Sequence, residues 1–320
     1  MTFADDLVRQ VLERAAAQPP DNVLVLGLTP AAWLVRAALR EAYGQGLAVS
    51  VADPDRAPGG GQSVLPWDGV SGLTADLVVV ADDARKELLL RALLPLLPPG
   101  RPPTVVLAGT AHLEYSDEDF AELDRPALVP SYANGYANTR VHLYQCLSAA
   151  AANRFRGAIV EFGAFKGGTT AWLARTAKVL GLDGPVLAFD SWDGFPPPRS
   201  LLDMYAHPRC VFTDLAAVRA HLEPLGVELV PGDITETAPV RLAGTPVLLA
   251  FVDTDNYSPA RAALEVVVAN LVVGGAVVFD HYTTTPEFVY TLGERMAAQD
   301  ALADRGLLHL HGTGVFVRLR

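Results

Sequence analysis

Two acidic stretches hold the residue types that could do chemistry, Val252-Asp253-Thr254-Asp255-Asn256-Tyr257 and Val278-Phe279-Asp280-His281-Tyr282. Each follows an apolar run of strand formers, residues 246–252 and 276–279. A helical segment at about 259–270, ended by Gly274-Gly275, lies between them. This order predicts a βαβ unit with parallel strands and a right-handed crossover, so both acidic ends emerge on one edge of the sheet. Neighbouring strands lie roughly 5 Å apart, close enough for Asp253 and Asp280 to share one cation. Ligands of open α/β sheets bind at that carboxyl edge, and the pattern reads as a divalent-metal site.

A simpler reading has Asp253 and Asp255 capping the following helix. Ser258-Pro259 speaks against it, since Ser is a good N-cap and Pro a favoured first helical residue. Thr285-Pro286 likewise predicts a cap for the next helix, to about 303, leaving Asp280 and His281 free.

Upstream, Glu161-Phe162-Gly163-Ala164-Phe165-Lys166-Gly167-Gly168 falls between a strand and a helix. Glycines there let backbone N–H groups approach a nucleotide-like cofactor at a helix N-terminus. The GxGxxG spacing of dinucleotide sites is absent. A carboxylate at Glu161 would repel a pyrophosphate and suit a cofactor carrying a cationic amine. Asp190 ends the next strand, 22 residues after Gly168, where an acid can accept hydrogen bonds from ribose hydroxyls. The alternative for these residues is a plain βα turn with Asp190 as a cap.

The elements that position these residues fall into two α/β sets. The first, residues 1–112, reads as a helix at 5–17, a strand at 23–26, a helix at 30–43 and a strand at 48–51. A loop through Pro58-Gly59-Gly60-Gly61 follows, then a strand at 77–80, a helix at 84–97 and a strand at 104–107. That order predicts a small parallel α/β domain. It carries only a lone Gly27 and Asp53 at its strand ends, too little for a nucleotide site, and reads as scaffold, dimer surface or substrate lid. Residues 113–140, with Asp117-Glu118-Asp119, Pro126 and Pro130, read as a connector. Residues 141–320 form the larger set. A helix at 141–153 leads to strands at 158–161, 186–190, 228–230, 247–252 and 276–279, with helices at 168–181, 214–223 and 259–270. A hairpin at 307–310 and 315–319 turns around His311-Gly312-Thr313-Gly314.

Composition bounds the partners. The net charge of −11 and the absence of a basic stripe argue against nucleic acid. No run approaches the roughly 18 apolar residues of a membrane span, and the acidic N-terminus, Met1-Thr2-Phe3-Ala4-Asp5-Asp6, has no apolar signal region. Cys146 and Cys210 are the only cysteines and fit two reduced thiols. The expected location is the cytoplasm, and the expected partner a small-molecule acceptor, with homodimerisation open.

Five motifs in order carry a resemblance to a known family: Val160 to Gly168; Phe189-Asp190-Ser191-Trp192-Asp193-Gly194-Phe195-Pro196; Pro231-Gly232-Asp233-Ile234-Thr235-Glu236-Thr237; Val252 to Ser258; and Gly274-Gly275 leading to Phe279-Asp280. Residues 141–320 resemble a class I S-adenosylmethionine-dependent methyltransferase, nearest to the macrocin O-methyltransferase (TylF/MycF-like) family of antibiotic-sugar enzymes. The resemblance implies a Rossmann-like sheet with a terminal antiparallel hairpin. It implies that Glu161, Gly163 and Gly167 surround the methionine part of S-adenosylmethionine, that Asp190 and Ser191 hold the ribose, and that Asp233 and Ile234 meet the adenine. Trp192 could pack near the adenine, and Tyr132 and Tyr136 could line the cofactor mouth. The family's magnesium is held by an acid after the fourth strand and an Asp-Asp pair after the fifth. Asp253 and Asp280 match two of these ligands, and His281 stands where the second acid of the pair would be. Imidazole is softer than the oxygen ligands magnesium prefers. Either the ion differs, His281 stands behind the ligands, or the site is impaired. By the same resemblance Asp255 is the candidate general base, with His281 a second catalytic candidate, in O-methylation of a hydroxyl on a sugar-containing or polyhydroxylated natural product. A metal-independent N-methyltransferase with His281 as base, and a non-catalytic binding or assembly protein, are the alternatives.

Overall fold

The structure, a computed structural model, describes residues 2–55, 64–98, 100, 102–135, 138–283, 286–303 and 305–320. The Pro58-Gly59-Gly60-Gly61 loop, Tyr136 and Thr285 lie outside the described residues. The chain divides into two compact units, Met1–Tyr115 and Ser116–Arg320.

In the first unit, α1 (Phe3–Ala17) opens with a capping box between Thr2 and Asp5. It is followed by β1 (Asn22–Leu26), α2 (Pro30–Tyr43), β2 (Ala48–Ala52), β3 (Leu77–Val80), α3 (Lys86–Leu93) and β4 (Thr104–Val106). The four strands pair in parallel in the order β2-β1-β3-β4. The helix predicted at 84–97 stops at Leu93 and tightens into a 3₁₀ turn at Leu94–Leu96, where Pro95 withholds a backbone donor. Asp53, at the end of β2, is a structural residue: its carboxylate pairs with Arg85 and accepts from the Leu28 N–H.

The second unit begins with α4 (Glu118–Leu123) and α5 (Thr139–Ala152). It continues through β5 (Ala158–Phe162), α6 (Gly168–Val179), β6 (Val186–Asp190), α7 (Leu215–Leu222), β7 (Val227–Pro231), α8 (Ile234–Arg241), β8 (Val247–Val252), α9 (Tyr257–Asn270) and β9 (Leu271–Phe279). It ends with α10 (Leu292–Leu302), β10 (Leu307–His309) and β11 (Val315–Arg318). The seven strands run in the order β10-β11-β9-β8-β5-β6-β7. Those from β5 to β9 are parallel, and β11 joins β9 antiparallel. This is the expected Rossmann-like sheet with a terminal antiparallel hairpin. The central strands β5, β6 and β8 are buried on both faces. Alternate residues meet α8, α9 and α10 on one side (Val160, Phe162, Ala250, Val252) and α5, α6 and α7 on the other (Ile159, Leu249, Phe251).

Four local expectations differ. The helix expected from Thr285-Pro286 to about 303 starts only at Leu292, with Thr291 as its N-cap, after a 3₁₀ segment at Pro286–Thr291. Helix α8 was not predicted; it carries Pro239 inside it, where proline is ordinarily disfavoured. Gly274-Gly275 does not end a helix but sits within β9, which starts at Leu271. A Cβ on Gly274 would fall 2.0 Å from the Phe155 ring, so the strand needs glycine there for close packing. Ser258 does not cap α9: the N-cap is Asn256, and the Ser258 N–H and Oγ donate to Asp203 at 2.8 and 2.7 Å. Asp253 and Asp255 are indeed free of capping, because a carboxylate from another segment takes up the first-turn donors.

Candidate active site

β8 and β9 are neighbours in register, Val252 opposite Phe279, so the residues after them meet at the carboxyl edge as the spacing predicted. A cavity of about 1280 Å³ opens there. Asp280, whose side chain is 1 % exposed, is held from below: its carboxylate accepts the backbone N–H groups of Asn134 (3.0 and 3.2 Å) and Gly135 (2.9 Å). A Cβ on Gly135 would lie 2.0 Å from the Asp280 carbonyl oxygen, so only glycine allows this approach.

His281 Nε2 points into a ring of carboxylates, 3.3 Å from Asp255 Oδ1, 3.5 Å from Asp280 Oδ2 and 3.8 Å from Asp253 Oδ1. Its ring lies against Phe288, centroids 5.0 Å apart. Burial draws the imidazole pKa down, but the bond to Asp255 and the charges of Glu294 and Asp280 outweigh it, and the value rises to about 9. Asp253 shifts upward as well, through burial first and then through the negative charges of Asp280 and Asp255. Asp255 adopts φ +60°, a left-handed conformation uncommon outside glycine though better tolerated by Asp. One donor atom each from Asp253, Asp280 and His281 lies within 4.8 Å of the others. These donors suit a divalent cation: two carboxylates and an imidazole, with Asp255 adjacent, form a mixed oxygen and nitrogen set that manganese or zinc accepts more readily than magnesium.

The glycine loop abuts the β8 end, where the Asp253 N–H donates to the Phe162 carbonyl. Gly163 lines the cavity, and a Cβ there would meet the Asp253 carbonyl oxygen at 2.0 Å. A Cβ on Gly168 would meet the Pro130 carbonyl oxygen at 1.9 Å, and one on Gly167 the Leu222 side chain at 2.8 Å. The loop's glycines are therefore demanded by packing against neighbouring chain, and Gly167 does not line the cavity. Glu161 is fully buried and accepts a hydrogen bond from Thr170 Oγ1. Burial pushes its carboxyl up to about 8; the Thr170 bond opposes the rise, and the charges of Asp190 and Asp280 add to it.

Asp190 and Ser191 line the cavity. The Asp190 carboxylate accepts the N–H groups of Phe165 (2.8 Å) and Trp192 (2.9 Å), so it shapes the loop besides facing the cavity. Phe165 and Trp192 both have positive φ, 50° and 46°, and these two bonds hold them. Trp192 does not face the cavity: it is 4 % exposed, packs in the α6–α7 core, and donates through Nε1 to the Phe165 carbonyl. Tyr132 does line it, edge-on to Phe165. Asp233 caps α8 and pairs with Arg199 at 2.8 Å, while Ile234 lines the cavity beside it.

Sequence reasoning missed the segment of residues 197–212 between β6 and α7, most of which lines the cavity. It is fastened at Arg199 to Asp233 and Thr235, at Asp203 to Ser258, and at Tyr205 by reciprocal bonds with Asn256 of 2.9 Å each. It also missed Glu294 of α10, whose side chain meets the backbone beside the acidic cluster. A signal existed: residues 294, 297, 298 and 301 form one buried stripe on α10, and Glu294 is its only charged member.

The sheet and its convergent edge define a Rossmann-like α/β fold, and residues 160–282 match the model of a family described as a methyltransferase domain. Over that stretch the chain is similar to that family. Among solved structures, it is similar to the O-methyltransferase NovP at 24% identity, over 56% of this chain and 79% of that one, TM-score 0.46. It is similar to the calicheamicin methyltransferase CalS11 at 22% identity, over 73% and 85%, TM-score 0.46. A methyltransferase of Podospora anserina, PaMTH1 with bound SAH, aligns at 14% identity over 57% and 79%, TM-score 0.38. A search of curated protein sequences finds no match. No helix among the described residues is long and apolar enough to cross a membrane.

Proposed function

We propose that the unit Ser116–Arg320 is an S-adenosylmethionine-dependent O-methyltransferase acting on a hydroxyl of a small polyhydroxylated or sugar-bearing molecule, in the manner of the macrocin O-methyltransferase group. The observation that carries this reading is the meeting of Asp253, Asp255, Asp280 and His281 in the same cavity as Gly163, Asp190 and Ser191. The methyltransferase-domain match over residues 160–282 supports the methyl donor. Glu161 is buried and does not line the cavity; by the family resemblance it would meet the donor's cationic amino group. Asp190 retains lone pairs for a ribose hydroxyl beyond the two N–H bonds it accepts.

Methyl transfer to oxygen needs a nucleophile better than a neutral hydroxyl, and in-line alignment. Asp253, Asp280 and His281 would hold a divalent cation, which supplies Lewis acidity toward the acceptor hydroxyl when bound. Asp255 Oδ1 stands beside this group, 3.3 Å from His281 Nε2, and would take the proton. A second reading is cation-independent: His281 Nε2 sits among the three carboxylates, and an imidazolium there serves as the positive charge.

The test is S-adenosylhomocysteine release from S-adenosylmethionine with a panel of sugars and glycosides, before and after chelation. Turnover abolished by chelation and restored by Mn²⁺ or Mg²⁺ supports the first reading, and turnover indifferent to chelation the second. Failure to bind S-adenosylmethionine by calorimetry overturns both.

A further inference from the structure

Glu294 lies outside the stretch that matches the methyltransferase family, yet it touches both acidic loops. It is the third residue of α10, whose N-cap Thr291 offers no side-chain bond. A Glu at this position ordinarily faces solvent, favoured by the helix dipole, or reaches back to its own N-cap N–H. Here the side chain is 0 % exposed and turns away from its own helix. Its Oε2 accepts the backbone N–H groups of Thr254 (3.0 Å) and Asp255 (3.1 Å), and its Oε1 accepts that of His281 (3.2 Å).

Glu294 thus spans the ends of two strands. Thr254 and Asp255 follow β8, and His281 follows β9. In the sheet, the ladder between these strands runs out at Val252 opposite Phe279, beyond which only the Asp280 N–H to the Val252 carbonyl remains. Past that point one carboxylate replaces the missing ladder, and the residues it fixes are neighbours of Asp253 and Asp280. Asp255 is the residue at φ +60°, and a conformation of that kind persists only where its surroundings impose it. Glu294 holds the N–H of this residue, beside the local turn closed by the Asn256 N–H to the Thr254 carbonyl and by Thr254 Oγ1 to the Asn256 carbonyl. The α10 terminus is packed closely against neighbouring backbone, since a Cβ on Gly293 would lie 2.1 Å from the Leu202 carbonyl oxygen and 3.0 Å from the Tyr257 nitrogen.

We propose that Glu294 is a positioning residue: it braces the β8 and β9 ends so that Asp253, Asp255 and His281 face one point. The consequence for cation binding rests on the function proposed above; the brace itself does not. The test uses the full chain, wild type and the variants Glu294→Gln and Glu294→Asp. An amide can accept on one arm only and so releases one strand end, while aspartate is too short to reach both. Mn²⁺ binding by electron paramagnetic resonance, S-adenosylhomocysteine binding by calorimetry, and thermal melting are measured together. The expected result is Mn²⁺ affinity at least tenfold weaker in both variants, with S-adenosylhomocysteine affinity within threefold of wild type. Unchanged Mn²⁺ affinity overturns the proposal, as does parallel loss of both ligands with a lowered melting temperature, which marks a merely structural role. If the wild type takes up no Mn²⁺, the cation reading fails. The brace is then judged on amide hydrogen exchange at Thr254, Asp255 and His281. A tenfold rise confined to these amides in Glu294→Gln supports it, and unchanged exchange overturns it.

Discussion

Replacing Asp253 with asparagine separates the cost of the acidic cluster from its use. Without a cation, the Asp253 carboxyl is pushed well above its ordinary 3.8 by burial and by the charges of Asp280 and Asp255. A folded-state pKa above the unfolded one means that the folded protein holds the proton more tightly. Its stabilising contribution is complete below about pH 4 and is lost as pH rises. The amide of the replacement cannot ionise, so under chelation at pH 8 the Asp253→Asn variant should melt above the wild type. Cation reverses the order. A ligand at 100 times its dissociation constant stabilises the folded state by about 2.7 kcal/mol. For a unit the size of Ser116–Arg320, each kcal/mol moves the melting point by about 2–4 °C, so Mn²⁺ should raise the wild-type transition by about 5–11 °C. The variant, missing one of the three donors, should gain little. Differential scanning fluorimetry in chelator and in Mn²⁺ reads all four values. A wild-type transition that ignores Mn²⁺, or a variant that gains as much as wild type, refutes the reasoning.

Glu161, raised to about 8 against an ordinary 4.5, stabilises fully below about pH 4.5, and that contribution fades as pH climbs through 8. A cationic amine beside it should expel its proton. S-adenosylhomocysteine titrations at pH 7 in buffers of different ionisation enthalpy should show proton release, and Glu161→Gln should abolish it. Asp190→Ala leaves the Phe165 and Trp192 N–H groups without their acceptor, at about 1–3 kcal/mol each; denaturant unfolding should show the loss, and calorimetry weakened cofactor binding. Gly163→Ala places a methyl 2.0 Å from the Asp253 carbonyl oxygen at φ +92° and should cost roughly 2–5 kcal/mol. Equal unfolding midpoints for that variant and wild type would show that the loop yields freely.

What the chain discloses on its own follows from how local each signal is. The strands from 158 to 279 are apolar runs bounded by glycine and acid, and a parallel sheet with one acidic edge is a direct consequence. Asp253, Asp280 and His281 were legible because strand ends are fixed by periodicity. Helix α8 gives a weak local signal, being eight residues long with Pro239 inside it. The cap of α9 was misplaced because its donors are met by Asp203, 55 residues away, and no local pattern announces such a partner. The glycines of the 163–168 loop read as room for a cofactor, whereas the carbonyls of Asp253 and Pro130 fill that room at Gly163 and Gly168. Glu294 was overlooked for the opposite reason: an acid in a first helical turn looks ordinary until its burial is known.

The clasp of Asp280 by Asn134 and Gly135 bears on how portable this chemistry is. Both donors precede the stretch that matches the methyltransferase family, and Glu294 follows it. A segment cut at the matching boundaries and grafted onto another sheet would bring the acidic side chains without the backbone donors beneath one and the carboxylate behind the others. Such a transplant would inherit ligands but not their aim. Recombination that exchanges this core between relatives must carry its flanks along, and a chimera joined after residue 135 or before residue 294 tests whether its two parents share the same scaffolding.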